Sequence, residues 1–250
     1  LWGAYSSLRE QSGKREEKIT VLNDILEISP DDFLAWFEKG RWLGESGNHE
    51  EALHCFEKVT ELKPDRVVGW ANRGYALNLL GKNEESLQYF DKAIGLDKND
   101  FLAWEYKGMA LGNLAKYEEA IVCFDKAIDL DPKNILSWFK KGVAYFRIAK
   151  PTMGDEDRKS YGKALECFEK VLDLDPQDPK SWYVKSQALQ ELEREKEANK
   201  CFERAVELGF QPGKDFLYKE NPDDLTPEEE RGFQSNEEKV EDDEFKKDRV

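Results

Sequence analysis

Tryptophan recurs along the chain at a fixed interval of 34 residues, and one interval of 44 corresponds to the same period with an insertion of ten. The tryptophans of this series are Trp2, Trp36, Trp70, Trp104, Trp138 and Trp182. Small or hydrophobic residues follow them at i+4 and i+7, as in Trp70, Gly74 and Leu77, which is the spacing of one face of an α-helix. Such a period predicts a repeat architecture in which each unit is one supersecondary element.

Other positions keep one residue type when the units are aligned on their tryptophans. Four residues after the tryptophan stand Ser6, Gly40, Gly74, Gly108, Gly142 and Ser186. Sixteen residues after it, with the insertion subtracted, stand Lys18, Ala52, Ser86, Ala120, Ala164 and Ala198. Twenty residues after it stand Leu22, Phe56, Phe90, Phe124, Phe168 and Phe202. The units close with Pro30, Pro64, Lys98, Pro132, Pro176 and Phe210. Because proline ends a helix, each unit is predicted to be two amphipathic helices joined by a short turn.

This pattern resembles the tetratricopeptide repeat, in which Trp, Leu-Gly, Tyr, Ala, Phe and Pro recur over 34 residues. The resemblance implies an all-α fold, a right-handed α-solenoid of six helix pairs whose first helices line a concave groove. The predicted units are residues 1–32, 33–66, 67–100, 101–134, 135–178 with the ten-residue insertion, and 179–210. Residues 211–250 are predicted to form an acidic C-terminal cap or tail, partly disordered, with a capping helix or turn near Phe216.

Three features depart from the repeat pattern. The first unit begins within its own helix and carries Lys18 where alanine prevails, so we expect a degenerate or truncated cap. The insertion, around Pro151 to Tyr161, is expected to lengthen the turn of the fifth unit as a tolerated loop or a partner contact. The tail from Gln211 holds seven basic and fourteen acidic residues, so its net charge is 7 − 14 = −7.

Composition limits the function. The chain has 38 basic and 53 acidic side chains, a net charge of −15, which argues against nucleic-acid binding. Apolar stretches are too short for a transmembrane helix, so we expect no membrane span. The histidines, His49 and His54, do not share a helix face, and no catalytic motif is found. We therefore predict no enzyme activity, no cofactor and no metal site.

The four cysteines share one repeat position. Each stands nineteen residues after its tryptophan once the insertion is subtracted: Cys55, Cys123, Cys167 and Cys201. Equivalent positions on successive repeats do not converge as a disulfide or a zinc site requires. They are predicted to be small core residues, and free thiols favour a reducing, cytoplasmic location.

The resemblance also indicates which positions face the groove: those one, two, five, eight and nine residues after the tryptophan. The predicted partner-binding residues are Phe37, Arg41, Asn72, Tyr75, Tyr106, Met109, Phe139, Lys140, Val143, Phe146 and Tyr183. These positions are expected to face away from their own partner helix, and an exposed aromatic patch of this size usually has a partner. The alternative is that adjacent repeats bury these side chains against each other.

A cation stands three residues after five of the tryptophans, at Lys39, Arg73, Lys107, Lys141 and Lys185. These cations are predicted to pair with acids on neighbouring helices, such as the column Glu57, Asp91, Asp125, Glu169 and Glu203. Alternatively, they track an acidic ligand, including the tail of the chain itself.

The sequence thus predicts a protein-interaction module or adaptor. Its partner would be another protein, bound as an extended peptide or an amphipathic helix in the groove. The alternatives are a self-associating scaffold, the repeat domain of a larger signalling or enzymatic protein, an adaptor inhibited by its own tail, and a co-chaperone. The last would hold a terminal carboxylate with Arg41, Asn72 and Lys140.

Overall fold

The computed structural model describes residues 15–149 and 154–211. Within these ranges it is all-α, as predicted, with eleven helices and no strand. The helices are α1 (Arg15–Ile28), α2 (Phe33–Glu45), α3 (His49–Leu62), α4 (Val67–Leu79), α5 (Asn83–Leu96), α6 (Phe101–Asn113), α7 (Tyr117–Leu130), α8 (Ile135–Ile148), α9 (Asp155–Leu174), α10 (Pro179–Glu191) and α11 (Glu195–Glu207). The predicted first helix of the first unit and the predicted cap near Phe216 lie outside the described residues.

The chain divides into two compact units, one up to Tyr106 and the other from Lys107. In the description of the structure, the first unit and the second unit are these two, and each contains several of the 34-residue repeats. In the first unit, helices α1 to α5 pack in sequence, each on the next along the chain. In the second unit, helices α7 to α11 do the same. Contacts between neighbouring elements are the arrangement expected of a repeat protein, whose stability is a sum of local terms.

In four of the five described pairs, the first helix starts at a side-chain cap four residues before the tryptophan; Arg66, at that place before α4, makes no such cap. Asp32 accepts hydrogen bonds from the backbone N–H groups of Leu34 and Ala35, both at 3.1 Å. Asn134 caps α8 through Ser137 N at 2.8 Å, and Asp178 and Asp100 occupy the same position in their units. These caps satisfy the amide groups that a helix start leaves without partners.

The turn between the two helices of a pair requires a left-handed residue eleven positions after the tryptophan. Gly47 and Gly81 hold it with φ of 82° and 74°, and Ala115 and Glu193 hold it with 56° and 59°. In the fifth pair the equivalent Ala149 is extended, with φ −63° and ψ 133°. The chain therefore leaves the usual turn at this point and continues into the insertion.

The insertion lengthens a helix as well as the connection that precedes it. Helix α9 has 20 residues, against 14 for α7, so six residues of the insertion extend its N-terminus. Gly154 is the N-cap residue of this helix, and its N–H donates to the Asp157 carboxylate at 3.1 Å. The Tyr161 ring is buried against Phe146 with centroids 5.2 Å apart. The expectation of a longer turn is thus incomplete, because part of the insertion pairs its polar backbone within the helix.

Glycine and phenylalanine form the crossing point of each pair. Phe56, Phe90, Phe124 and Phe168 are at most 4% exposed, and a glycine of the preceding helix, sixteen residues earlier once the insertion is subtracted, lies against each ring. A Cβ atom at Gly74 would be 2.6 Å from a ring carbon of Phe90, and one at Gly142 would be 2.6 Å from Phe168. Only glycine therefore allows this approach. In the last pair Ser186 replaces glycine, and Phe202 is 39% exposed.

Each of the five tryptophans of the series that lie in the described residues anchors its helix to the turn before it. The indole Nε1 donates to the carbonyl oxygen six residues earlier, at distances of 2.8–3.0 Å. The acceptors are the residues that close the preceding units, namely Pro30, Pro64, Lys98, Pro132 and Pro176. A buried or half-buried indole needs such a partner.

Candidate functional site

In the first unit, the predicted groove aromatics are packed mostly among themselves and against the core. Phe37 is 1% exposed and lies 6.0 Å from Phe56, on the second helix of its own pair. The Tyr75 and Tyr106 rings stack with centroids 4.3 Å apart, and Tyr106 also contacts Phe90 at 6.2 Å. Tyr75 remains half-buried, while Tyr106 is buried.

The polar groove residues of the first unit are engaged within their own helices. The Arg41 guanidinium lies 3.3 Å from the Glu38 carboxylate and 3.9 Å from that of Glu45. The side-chain amide of Asn72 is buried and donates to the carbonyl oxygen of Val68 at 2.9 Å. Arg41 stays half-buried, with its charge balanced by two acids, so an incoming carboxylate would compete with both.

In the second unit, the groove residues divide into buried and accessible ones. Phe139 is 2% exposed and lies 5.9 Å from Phe168 of its own pair, and Val143 is buried in the same cluster. Phe146 is half-buried. Tyr183 is also half-buried and stacks on Phe210 with centroids 4.2 Å apart. Burial raises the pKa of the Tyr183 hydroxyl above its ordinary value.

Met109 and Lys140, also predicted as groove residues, come together around Gly112. Both are buried, and with Ala144 they line a pocket of about 10 Å³, which is room for about one water molecule. A Cβ atom added at Gly112 would meet nothing within 4 Å. Gly112 was not among the predicted groove residues. It stands eight residues after Trp104, at a position expected to face the groove, and a glycine at such a position indicates a gap between the neighbouring side chains.

The positions one residue after the tryptophan differ from expectation. Phe37 and Phe139 contact the second helix of their own pair, so they belong to the repeat core and do not face away from it. Their rings reach the core phenylalanine of the pair. Among the eleven predicted residues, those that are half-buried, and not buried, are Arg41, Tyr75, Phe146 and Tyr183.

Three of the five cations that stand three residues after a tryptophan pair with acids on the preceding helix, as the first interpretation predicted. Arg73 lies 3.0 Å from Glu57, and Lys185 lies 3.1 Å from Glu169. The Lys141 ammonium forms an ion pair with the Asp125 carboxylate, with 2.5 Å between nitrogen and oxygen. These three cations therefore link successive helix pairs, and their stems cover apolar surface.

The cysteines are free and buried, as predicted. Burial raises the pKa of the Cys55 thiol to about 11 and that of Cys167 to about 12. Such thiols are protonated at neutral pH and make poor nucleophiles and metal ligands. Among residues 15–149 and 154–211, no three His, Cys, Asp or Glu side chains are arranged to hold a metal ion.

No helix in the described part of the chain is both long and apolar enough to cross a membrane.

Three family models match the chain. One, described as a tetratricopeptide repeat, matches residues 37–101. Another, described as a TPR repeat, matches residues 115–148. The third, again a tetratricopeptide repeat, matches residues 156–178 and 179–208. No curated protein matches the chain with significance.

Solved structures of similar fold include MamA from Desulfovibrio magneticus RS-1, with a TM-score of 0.60 and 23% identity, covering 70% of this chain and 94% of that one. Another MamA crystal structure has a TM-score of 0.58 and 20% identity, covering 78% and 98%. YrrB, described as a TPR protein with an unusual peptide-binding site, has a TM-score of 0.57 and 18% identity, covering 78% and 94%. At these identities the likeness shows the fold, an α-solenoid of helix pairs.

The repeats and the fold together support a protein-interaction module in general terms. The stretches of chain that match the family models include Trp70, Trp138 and Trp182 of the tryptophan series and the whole of helices α3 to α5, α7, α8, α10 and α11. This chain belongs to the tetratricopeptide repeat family.

Proposed function

We propose that the chain is an adaptor that binds a partner protein through the groove positions of its first helices. The partner would enter as an extended peptide or an amphipathic helix. The observation that carries this proposal is the set of half-buried side chains at those positions, namely Arg41 and Tyr75 in the first unit and Phe146 and Tyr183 in the second.

These side chains suit recognition because they are fixed by the fold and still reachable. Tyr75 is held by stacking on Tyr106, and Phe146 is held by the buried Tyr161. An aromatic ring that is already ordered loses little conformational entropy when a partner covers it. Aromatic residues and arginine are also the side chains that most often dominate binding free energy. YrrB supports the proposal by analogy, since a peptide-binding site occurs on a similar fold.

Gly112 offers a way to block the groove of the second unit without disturbing its core. It lies in α6, and an added side chain would enter open space beside Met109 and Lys140. Replacing glycine by arginine within a helix also favours the helix by up to about 1 kcal/mol. The Gly112→Arg variant should therefore fold normally and carry a bulky side chain into the groove.

The test compares partner capture from native lysate by the unaltered chain, by Gly112→Arg and by a matched control. Gly95→Arg is the control, because Gly95 is an exposed residue of the second helix α5 and its Cβ would also meet nothing within 4 Å. Mass spectrometry should identify a protein that the unaltered chain and Gly95→Arg capture equally and that Gly112→Arg loses. Equal capture by all three proteins, with circular dichroism showing them folded, would refute binding in this groove.

A further inference from the structure

The second unit contains another surface that could receive a partner. A cavity of about 780 Å³ lies between Trp138 of α8 and Trp182 of α10, above helix α9. Its lining includes Tyr145 and the thiol of Cys167. We refer to this surface as the indole groove. Its volume falls in the range of pockets that hold small ligands or single peptide side chains.

The indole groove lies on the opposite side of α8 from the proposed binding groove. Trp138, Lys141 and Tyr145 are spaced by three and four residues, so they form one stripe of the helix. Val143 lies about 140° from Trp138 around the helix and Phe146 about 80° on the same side as Val143, away from Lys141, since each residue turns the helix by about 100°. A partner in the indole groove would therefore not compete with one in the proposed groove.

The repeat of Trp70 shows how an aromatic ring fits the equivalent position. Tyr89, nineteen residues after Trp70, lies against that indole with centroids 6.2 Å apart and an interplanar angle of 15°. The guanidinium of Arg73 lies 4.4 Å from the Tyr89 ring centroid. The chain thus places an aromatic ring against the tryptophan and beneath a cation, an arrangement with favourable stacking and cation–π contributions.

In the repeat of Trp138 the residue at this position is Cys167, a cysteine as in the other described repeats apart from that of Trp70, and it is too small to cover Trp138. The cation is retained, because the Lys141 ammonium lies 5.2 Å from the Trp138 ring centroid. The replacement of a tyrosine by a cysteine therefore leaves room for a ring while keeping the indole and the cation that would hold it.

The charges around the indole groove favour a partner that carries an acidic residue beside the aromatic ring it places on Trp138. Lys163 and Lys170 stand seven residues apart on α9, hence on one face, with Cys167 between them. Both are exposed; Lys163 lies 4.9 Å from the Tyr145 ring, and Lys170 is 3.3 Å from Asp173.

The other charged side chains of the lining are Lys141, Lys185, Glu166 and Glu169. Lys185 and Glu169 neutralise each other, and Lys141 is paired with an acid outside the lining. In all, the lining contains four lysines and three acidic residues, so its net charge is 4 − 3 = +1. The chain as a whole has a net charge of −15.

We propose that the indole groove binds a linear peptide of a partner protein through one aromatic side chain. The ring stacks on Trp138 beneath Lys141, in the position that Tyr89 holds against Trp70, and an acidic residue beside it in the peptide meets Lys163 or Lys170. This site goes beyond the groove proposed above and stands or falls separately from it.

The test uses the full chain and a displayed library of random dodecapeptides. Selected peptides should be enriched in an aromatic residue next to Asp or Glu. Cys167→Tyr supplies the missing ring from within the chain, so it should weaken binding of the selected peptides by about tenfold or more. Cys55→Tyr is the matched control, because Cys55 is a buried cysteine at the same repeat position on α3, and neither it nor Trp36 lines the indole groove; it should leave affinity unchanged, as should Gly112→Arg.

Fluorescence anisotropy with a labelled copy of the strongest peptide gives the dissociation constants. The Lys163→Glu, Lys170→Glu double variant changes only exposed side chains, and it should also weaken binding by about tenfold. This variant keeps the test decisive if Cys167→Tyr does not fold. Selection of no peptide, or peptides that lack an aromatic residue, would overturn the proposal. It would also be overturned by binding that survives in both the tyrosine and the double glutamate variants.

Discussion

At the scale of single residues, the tryptophan series explains which closing residues the repeats tolerate. The indole donates to a backbone carbonyl, so the acceptor does not depend on the side chain that closes the unit. Lys98 therefore serves Trp104 as well as Pro64 serves Trp70, with distances of 3.0 and 2.9 Å. Proline at this place stops the preceding helix, while the hydrogen bond fixes the next one. Aligning the repeats shows the tryptophan and the closing residue, but it does not show the hydrogen bond between them.

The left-handed turn position is the clearest local strain in the chain. Glycine adopts a positive φ without a steric penalty, whereas an L-residue with a Cβ atom pays about 1 kcal/mol or more. Two pairs meet this demand with Gly47 and Gly81, and two do not, since they carry Ala115 and Glu193. The residue at this position is thus not optimised for stability in every repeat.

We predict that Ala115→Gly stabilises the chain by about 1 kcal/mol, because it relieves the strain of φ 56° and removes only a methyl group. Urea denaturation followed by circular dichroism measures the change. Gly81→Ala is the reciprocal control: its φ is 74° and its Cβ would meet nothing within 4 Å, so the expected loss is conformational. A destabilised Ala115→Gly variant would contradict the role assigned to this position.

Buried thiols lead to a second residue-scale prediction. The pKa of Cys55 is raised to about 11 and that of Cys167 to about 12, from an ordinary value of 9.0. At pH 8 a disulfide reagent such as Ellman's reagent should therefore label the native chain slowly, and all four cysteines rapidly in guanidinium chloride. Release of thionitrobenzoate measures both rates. Fast reaction of four thiols in the native chain would contradict their burial.

The same pKa shifts make stability depend on pH at the alkaline end. The unfolded chain loses its thiol protons near pH 9, before the folded chain does, so rising pH favours unfolding. The contribution of these thiols is complete below pH 9 and is lost as the pH rises through 11 to 12. Replacing Cys55 and Cys167 by alanine should therefore reduce the loss of unfolding free energy between pH 9 and 11.

At the scale of helices, the crossing of glycine on phenylalanine sets how closely a pair packs. The Phe90 ring is fully buried and has no space to move aside. A methyl group at Gly74 would meet it at 2.6 Å, which lies well inside van der Waals contact. Overpacking of this kind costs about 1–3 kcal/mol.

We predict that Gly74→Ala destabilises the chain by about 1–3 kcal/mol, even though alanine is the better helix former. Gly95→Ala, in the partner helix α5, meets nothing within 4 Å and should stabilise by up to about 1 kcal/mol. Urea denaturation of both variants separates the steric effect from helix propensity. Equal changes in the two variants would show that the crossing is not tight.

One departure from the repeat pattern is compensated between neighbouring helices. Alanine or serine stands sixteen residues after the other tryptophans of the series once the insertion is subtracted, but the first repeat has Lys18 there. Its ammonium lies 3.8 Å from the ring centroid of Trp42 on α2. Other units carry alanine where this indole stands, as in Ala76. A cation–π contact thus replaces a pair of small residues, which accounts for the tryptophan outside the series.

The helices could be predicted from the sequence because each boundary has a local cause. The starts at Phe33, Val67, Phe101, Ile135 and Pro179 recur with the tryptophan period, and caps and prolines mark them in the sequence. The start of α9 at Asp155 was not predicted. A run of charged residues reads equally well as a loop or as an exposed helix, and the capping contact of Gly154 with Asp157 decides for the helix.

At the scale of the molecule, the fold class follows from the repeat period, while the accessibility of the groove does not. Phe37 and Tyr75 both stand at groove positions, yet one is 1% exposed and the other half-buried. Periodicity gives the direction of a side chain around its helix, but burial depends on how far it reaches and on what its neighbours leave open. For the same reason the exchange of Tyr89 for Cys167, which opens the indole groove, has meaning only once Trp70 and Trp138 are seen in place.

The way helices contact one another leads to a prediction about how the whole chain unfolds. Within each unit, helices α1 to α5 and helices α7 to α11 pack each on the next along the sequence, so damage to one pair should pass mainly to its neighbours. Gly142→Ala, whose Cβ would meet Phe168 at 2.6 Å, should raise amide hydrogen exchange in α8 to α10 and leave α3 to α5 nearly unchanged. Gly74→Ala should give the reverse pattern. Mass spectrometry of peptic fragments measures both. If either variant raised exchange equally in every helix, the chain would unfold as one cooperative block, and the local sum of terms expected of repeats would not describe it.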